Sequence, residues 1–431
     1  MTRAFDLHTE WLQHVVFAWL LVLAARLISV GGEWQSLDTT TWVSLGAWLL
    51  LYVIGYLSAI PRNLSEFKLN MGTQDRALVN RCVLRLSVIA MLGAAFIAYE
   101  FAVIRGYGFK TSVATIRMAE VENARLGFEG SSISGIGRLL TPALLVAWLL
   151  TVVCWYQISI RSVILVCIST AAVVWQQVSF EGGRFFIGAL LISVFVARRI
   201  AIKNKFPIKT TLSYMTNSKN ALVRFLRIAI ALIAPLLIVG FGYVFIARAE
   251  DQNTDLITFY LRYNTNFAID VPLDITSRFD DFFGAVWFGM AMLWHYATQG
   301  PNELNNLLLT ENLSLAYGLF QFPQIGQALS KLTDISYQYD AFANLPNPGT
   351  YLTFYGASYI DFGHAGALVF SAMLGATTSI AVATLSRGNL HGLGLCAPIL
   401  ATISLISPIV SLMTNLWPAI IWALFVGRYF R

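Results

Sequence analysis

Long runs of apolar residues are the feature that most constrains how this chain can fold. A helix needs about 20 predominantly apolar residues to cross the hydrocarbon core of a bilayer, and the sequence contains ten runs that approach or reach this length. They lie at residues 11–30, 41–60, 83–104, 137–158, 162–178, 185–199, 227–247, 364–385, 391–411 and 414–429. We therefore predict an all-α polytopic membrane protein with about ten spanning helices.

The composition agrees with this interpretation. Only 12% of the 431 residues are charged and 57% are hydrophobic, whereas a soluble domain carries about 25% charged residues. So few charges cannot cover the surface of a water-soluble protein of this size. The net charge of +6 is concentrated in a few loops, so we read it as membrane topology and predict no nucleic-acid partner.

The positions of lysine and arginine predict the orientation in the membrane. Basic residues cluster after the second run, after the sixth run and at the C-terminus, and cytoplasmic loops are the ones that carry such an excess. The clusters include Arg62, Lys68, Arg76, Arg81, Arg198, Arg199, Lys203, Lys205, Arg428 and Arg431. We therefore predict that both termini are cytoplasmic.

Two segments on the predicted outer side are too long to be simple connections. They span residues 105–134 and 248–361, and loops of such length are usually functional. We predict that they form a periplasmic substrate region of one integral membrane domain covering residues 1–431. Within the second, the apolar runs 282–297 and 313–322 are short, which favours interfacial or re-entrant placement; if both crossed, there would be twelve spans.

Arg184 follows two glycines in the short turn between the fifth and sixth runs, on the predicted outer side. A guanidinium group binds phosphate through two parallel hydrogen bonds and keeps its charge, so Arg184 is a candidate anion clamp. The alternative is an arginine that extends to the headgroups or pairs with Glu181.

Four further arginines on the outer side are candidate contacts for phosphate or glycan. Arg278 precedes an apolar run, which puts it near the membrane plane, and Arg262 stands between two tyrosines that can stack on sugars. Arg117 and Arg125 lie on a predicted outer helix, where pairing with nearby glutamates is the structural alternative.

Candidate proton carriers and sugar contacts concentrate near the last three runs. His295, Asp361 and His364 are the groups that can take a proton from an acceptor hydroxyl, with packed histidines as the structural alternative. Tyr351 and Tyr355 bring amphipathic rings to the same membrane mouth. Because no zinc-type histidine spacing is present and adjacent aspartates form only a weak metal signal, we predict no metal and no cofactor.

The stretch 350–375 carries a Thr-Tyr pair, then Asp-Phe-Gly and a further glycine entering a helix. With Arg184 at the head of a short hairpin and the pair Ile116-Arg117 in an outer segment, this arrangement resembles the bacterial oligosaccharide repeat-unit polymerases of the Wzy type, which make O-antigen and related surface polysaccharides. The resemblance extends in architecture over most of the chain.

The resemblance implies a GT-C-like glycosyltransferase of the bacterial inner membrane that joins undecaprenyl-diphosphate-linked repeat units at the periplasmic face. It implies that arginines hold the diphosphate without a metal, that membrane lipid surrounds the polyprenyl tails, and that a chain-length-regulator protein is a partner. Under it, His295, Asp361 or His364 takes the acceptor proton.

Three alternatives remain open at this stage. An O-antigen ligase has a similar architecture and transfers the finished chain to a lipid core. A transporter or flippase of lipid-linked glycans would favour internal repeats and charges along a central cavity, and the sequence shows neither. A metal-dependent glycosyltransferase would use Asp38 in the first outer loop.

Overall fold

The computed structural model describes residues 2–27, 33–34, 36–60, 73–107, 116, 132–177, 184–203, 258, 269–270, 282–310, 313–325 and 352–430. The helices in these ranges are α1 (Thr2–Leu27), α2 (Thr39–Ser58), α3 (Thr73–Tyr99), α4 (Ser132–Leu140), α5 (Ala143–Val153), α6 (Ile160–Gln176), α7 (Arg184–Lys203), α8 (Phe282–Leu309), α9 (Phe354–Ser386), α10 (Ala397–Ile406) and α11 (Met413–Gly427). Two strands of two residues each, β1 (Glu33–Trp34) and β2 (Ile269–Asp270), pair antiparallel.

The prediction of a helical membrane protein is confirmed as a fold class. Five helical stretches in the described part of the chain are long and apolar enough to cross a membrane. They are Thr9–Leu27, Thr39–Ser58, Arg76–Ile104, Ile133–Val153 and Phe354–Ser386. The predicted span 227–247 lies outside the described residues, so the total number of spans stays a prediction.

Large apolar side chains cover the outside of the helical bundle. Phe17 on α1 is 65% exposed. Val88 on α3, Leu191 on α7 and Val369 on α9 are exposed as well. Water would disfavour such a continuous apolar surface, whereas lipid tails match it. This belt supports the membrane location independently of hydropathy.

Helix ends that the sequence assigns to the cytoplasmic side contact each other at one end of the bundle, termed the inner end. Glu10 near the start of α1 forms an ion pair with Arg199 near the end of α7. Asn80 on α3 accepts a hydrogen bond from the Ser159 amide at 2.7 Å and donates to the Gln157 carbonyl, both in the turn between α5 and α6.

The opposite end, termed the outer end, gathers the helix ends predicted to lie outside. α3 continues as a π-helical turn, Glu100–Ile104, and the buried Glu100 carboxylate binds Arg105 at 2.7 Å and the Ser134 amide of α4 at 2.8 Å. The β1–β2 pair joins the first outer loop to the segment 248–361.

Helices α2 and α9 make the closest helix contact in the described structure. A Cβ atom added to Gly55 would lie 2.1 Å from the Ala372 carbonyl oxygen, and one added to Gly375 would lie 2.2 Å from the Tyr52 carbonyl oxygen. The Ser371 hydroxyl donates to the Trp48 carbonyl at 2.7 Å. Small residues therefore let the two backbones touch, which is how helices associate where lipid competes for apolar surface.

A ladder of buried aromatic rings follows α2. The rings of Trp19 and Trp48 stack at 4.6 Å, Trp48 and Tyr52 at 5.6 Å, and Tyr52 and Tyr56 lie 6.2 Å apart. All four side chains are fully buried. The ladder fixes α1 and α9 against α2 through large contact areas.

The predicted run 364–385 coincides with the second part of helix α9, but α9 begins earlier, at Phe354, and reverses at Gly363. Gly363 has φ 67° and ψ −172°, a backbone geometry that favours glycine. The rings of Phe354 and Phe370 stack at 5.6 Å, although a straight helix would separate them by about 24 Å. Residues 354–362, termed α9a, therefore fold back on residues 364–386, termed α9b.

The predicted spans 391–411 and 414–429 appear as helices that are too short to cross a bilayer individually. α10 has 10 residues and α11 has 15, against the roughly 20 that a span requires. Between them, residues 407–412, termed the break, leave α-helical geometry around Pro408. A proline ends a helix because its ring clashes with the preceding turn.

The two weaker apolar runs of the large outer segment also differ from expectation. Helix α8 extends the predicted run 282–297 to Leu309, and its C-terminal half is buried against α1, α2 and α9, unlike a helix lying flat on the interface. Residues 313–322 form turns instead of a helix, with Tyr317 at φ 50° and Gly318 at φ 90°. The twelve-span alternative is therefore wrong for residues 313–322.

We expect Gly55→Leu to destabilise the protein by about 3 kcal/mol or more, because its side chain would overlap the α9 backbone. The matched control is Gly46→Leu on the same helix, since an added Cβ at Gly46 meets nothing within 4 Å. Thermal unfolding in detergent, followed by tryptophan fluorescence, measures the difference. Equal melting temperatures for the two variants would contradict the close contact.

Candidate functional site at the outer end

The base of the candidate site is a pairing between the break and the start of α9a. The Phe354 amide donates to the Ser407 carbonyl at 2.9 Å, and the Ser411 amide donates to the Leu352 carbonyl at 2.8 Å. The indole of Trp19 donates to the Ser407 hydroxyl at 2.9 Å. These bonds satisfy backbone groups that helices have released inside the bundle.

This base lies well below the outer ends of the helices. The Phe354 ring contacts Trp48 at 5.9 Å, and Trp48 is about 13 Å along α2 from its first residue. Trp19 lies about 12 Å before the end of α1 by the same rise per residue. The break and the start of α9a, together termed the floor, therefore lie in the outer half of the bundle, below the helix ends.

The C-terminal half of α8 packs on this floor and is unusually polar for a buried helix. Gly300 approaches the break so closely that an added Cβ would lie 2.7 Å from the Ile409 carbonyl oxygen. Asn305 accepts hydrogen bonds from the Asp38 amide and the Thr41 hydroxyl, both at 2.8 Å. The buried polar residues are His295, Thr298, Gln299, Asn302, Glu303 and Asn305.

The carboxylate of Asp361 accepts hydrogen bonds from the backbone amides of a tight turn. Its two carboxylate oxygens accept the amides of Phe320 at 2.9 Å and Gln321 at 3.0 Å, and the side chain is fully buried. A carboxylate held in this way positions residues 313–325 against α9a. Its predicted role as a proton acceptor stays a prediction, and this geometry favours the anchoring role.

His364 follows the reversal at Gly363 and is exposed at the outer end. Its Nδ1 lies 2.6 Å from the hydroxyl oxygen of Tyr355, a side chain that is 1% exposed. The ring of Tyr359 lies 4.7 Å from the imidazole. The hairpin thus brings Tyr355, Asp361 and His364 into one cluster and orients the imidazole of His364 through a buried hydroxyl.

His295 occupies a different environment on α8. It is 1% exposed and its ring is edge-on to Tyr296 at 6.5 Å. A group that deep does not meet a hydrophilic acceptor unless α8 moves. Of the three predicted proton carriers, His364 is therefore the one that is both oriented and accessible.

The predicted phosphate and sugar contacts are described only in part. Arg184 is the first residue of α7. Tyr355, a predicted sugar contact, is buried and its hydroxyl contacts His364, and its role toward a sugar stays a prediction. The other candidates lie outside the described residues, and their roles stay predictions: Arg117, Arg125, Arg262, Arg278 and Tyr351.

Sequence reasoning missed the break and the polar half of α8. The sequence does carry a signal for the break, because three serines and a proline interrupt an otherwise apolar run: Ser404, Ser407, Pro408 and Ser411. Gln299 is also new to the site: it is 1% exposed, and neither side-chain amide atom has a hydrogen-bond partner among the described residues.

Asp38 was the metal candidate of an alternative prediction. It precedes α2 as the N-cap residue, its carbonyl accepts the amides of Thr41 and Trp42, and its side chain makes no capping hydrogen bond.

The chain matches no protein-family model, and comparisons with curated proteins and with solved structures found nothing similar. Function is therefore argued from this geometry and from the sequence.

We expect Asp361→Ala to lower the stability by about 2–4 kcal/mol, because it leaves two buried amides without their acceptor. Asp38→Ala is the control, since that carboxylate is exposed and makes no capping bond. Melting temperatures in detergent measure both. A wild-type melting temperature for Asp361→Ala would show that the carboxylate does not anchor the turn.

Proposed function

We propose that this chain joins undecaprenyl-diphosphate-linked oligosaccharide units at the outer face of a bacterial inner membrane, as a polymerase of O-antigen or a related surface polysaccharide. The observation that carries the proposal is the Tyr355–His364 hydrogen bond at the apex of a helical hairpin. It supplies an oriented and exposed imidazole at the outer end of a bundle that lipid surrounds.

The reaction forms one glycosidic bond and breaks one bond to phosphate. A hydroxyl oxygen of the acceptor unit attacks the anomeric carbon of the donor chain, and the bond from that carbon to the diphosphate oxygen breaks. Undecaprenyl diphosphate leaves with the bonding electron pair. The hydroxyl proton passes to the enzyme, so atoms and charge balance without an oxidant or a further reactant.

We assign to His364 the role of accepting the proton of the acceptor hydroxyl. To accept it at Nε2, the imidazole has to carry its own hydrogen on Nδ1 and donate it to the Tyr355 oxygen. In that tautomer the buried hydroxyl accepts the Nδ1 hydrogen and fixes the ring orientation, as the second partner of a catalytic histidine generally does. Imidazole is the side chain best suited to proton transfer near neutral pH.

The donor is already activated, so positioning and charge stabilisation supply most of the catalysis. In this proposal arginine side chains bind the diphosphate. Arg184 at the start of α7 is the first candidate, and Arg117, Arg125 and Arg278 are further ones. The polyprenyl tails would lie against the apolar belt.

The experiment is the surface-polysaccharide ladder of a strain in which the gene is deleted and then returned. We expect the deletion to leave single repeat units on the lipid A core and to remove the ladder. Loss of every repeat unit would instead indicate the ligase alternative.

In that strain, we expect His364→Ala to slow polymerisation by about 10²-fold or more, the usual contribution of a positioned base. Tyr355→Phe should slow it less, because the imidazole stays but loses its partner. His14→Ala, which removes an exposed imidazole at the inner end, serves as control. A normal ladder from His364→Ala at normal protein level would remove His364 from the reaction.

Arg184→Ala should abolish long chains while the protein level stays normal, since a fixed cation near the leaving diphosphate contributes about 10²-fold. Arg184→Lys keeps the charge without the bidentate fork, so we expect intermediate chain length. The matched control is Arg161→Ala, an exposed arginine in the first turn of α6 at the inner end. Wild-type chain length in Arg184→Ala would exclude this arginine from the site.

A further inference from the structure

A cavity of about 270 Å3 lies between α3 and α11, at the inner end and far from the candidate site. Its walls are mainly apolar. The residues that line it are Leu78, Arg81, Cys82, Arg85, Leu86, Ile89, Trp422, Phe425, Val426 and Tyr429. The proposed polymerase function uses none of them.

Two arginines stand at the rim of this cavity. Arg81 and Arg85 are one helical turn apart on α3, so their side chains share a face, and both are exposed. Neither forms an ion pair within the described part of the chain. Like charges at this spacing repel, and an anion bound between them would relieve the repulsion.

The cavity and its two arginines lie at the level of the lipid headgroups. About 20 residues of α3 suffice to cross the hydrocarbon core, and the apolar stretch Arg76–Ile104 has 29. The arginines of this stretch, Arg76, Arg81 and Arg85, all lie near its start, which indicates that this end reaches the headgroup region. Trp422 and Tyr429 line the same cavity, and amphipathic rings of this kind collect at the membrane interface.

We propose that this cavity binds one anionic phospholipid of the cytoplasmic leaflet. The phosphate lies between Arg81 and Arg85, where guanidinium groups form charge-assisted hydrogen bonds. An acyl chain enters the apolar cavity beside Leu86, Ile89 and Phe425. The lipid thereby holds α11 against α3 at the end where the chain returns to the cytoplasm.

Native mass spectrometry of the full chain in detergent tests the proposal with phosphatidylglycerol and phosphatidylcholine of identical acyl chains. We expect one retained phosphatidylglycerol. The double variant Arg81→Gln/Arg85→Gln should bind it about thirtyfold more weakly, at roughly 1 kcal/mol for each arginine near an anionic lipid. The control Arg161→Gln/Arg198→Gln removes two exposed arginines of the same end outside the cavity and should bind normally.

A second pair of variants tests the cavity with both arginines intact. Cys82→Trp fills the cavity and should prevent retention, whereas Cys82→Ser should retain the lipid. In the wild type, phosphatidylglycerol should slow alkylation of the half-buried Cys82 and leave the exposed Cys167 unaffected. Inorganic phosphate should not protect Cys82, because it lacks the acyl chain.

Equal retention by the Arg81→Gln/Arg85→Gln variant and its control would overturn the proposal, as would equal retention of the two lipids by the wild type. Phosphatidylglycerol bound normally by Cys82→Trp would also overturn it. These measurements require no polysaccharide synthesis, so their failure leaves the polymerase proposal untouched.

Discussion

Backbone groups that leave helical geometry inside a membrane protein have no water to bind, and two such segments here satisfy each other. Residue 352 and the first residue of α9a pair with the break through Phe354 to Ser407 and Ser411 to Leu352. Each unsatisfied group in this setting would cost several kcal/mol. The interruption between α10 and α11 and the early start of α9 are therefore two halves of one hydrogen-bonded arrangement.

The other described elements of the outer end pack on the floor or on each other. Gly300 lets α8 approach the break, Asn305 joins α8 to the start of α2, and Asp361 fixes residues 313–325 over α9a. The reversal at Gly363 then presents His364 at the rim with Tyr355 behind it. Polar chemistry at the outer end is thus built from elements that bury their own backbone groups and leave one imidazole accessible.

The sequence predicted the helical class, and nine of the ten apolar runs overlap helices or helix pairs of the described structure. The helices α10 and α11 have 10 and 15 residues, fewer than the runs that predicted them. Periodic apolarity decides such elements locally. The reversal at Gly363 escaped prediction because it depends on Phe354 meeting Phe370 across the fold. The sequence singled out His364, Tyr355 and Asp361 by residue type alone. The contacts that distinguish their environments, Tyr355 with His364 and Phe320 with Asp361, depend on the reversal and on the turn at residues 313–325, which no local pattern indicates.

The aromatic ladder has a consequence for how the protein can be observed. Two indoles that stack 4.6 Å apart couple their electronic transitions, and Trp19 and Trp48 belong to different helices. The resulting circular dichroism couplet in the ultraviolet reports the distance between α1 and α2 without any label. Because Trp19 also bonds Ser407, any rearrangement of the floor would change that optical signal in the native, unmodified chain.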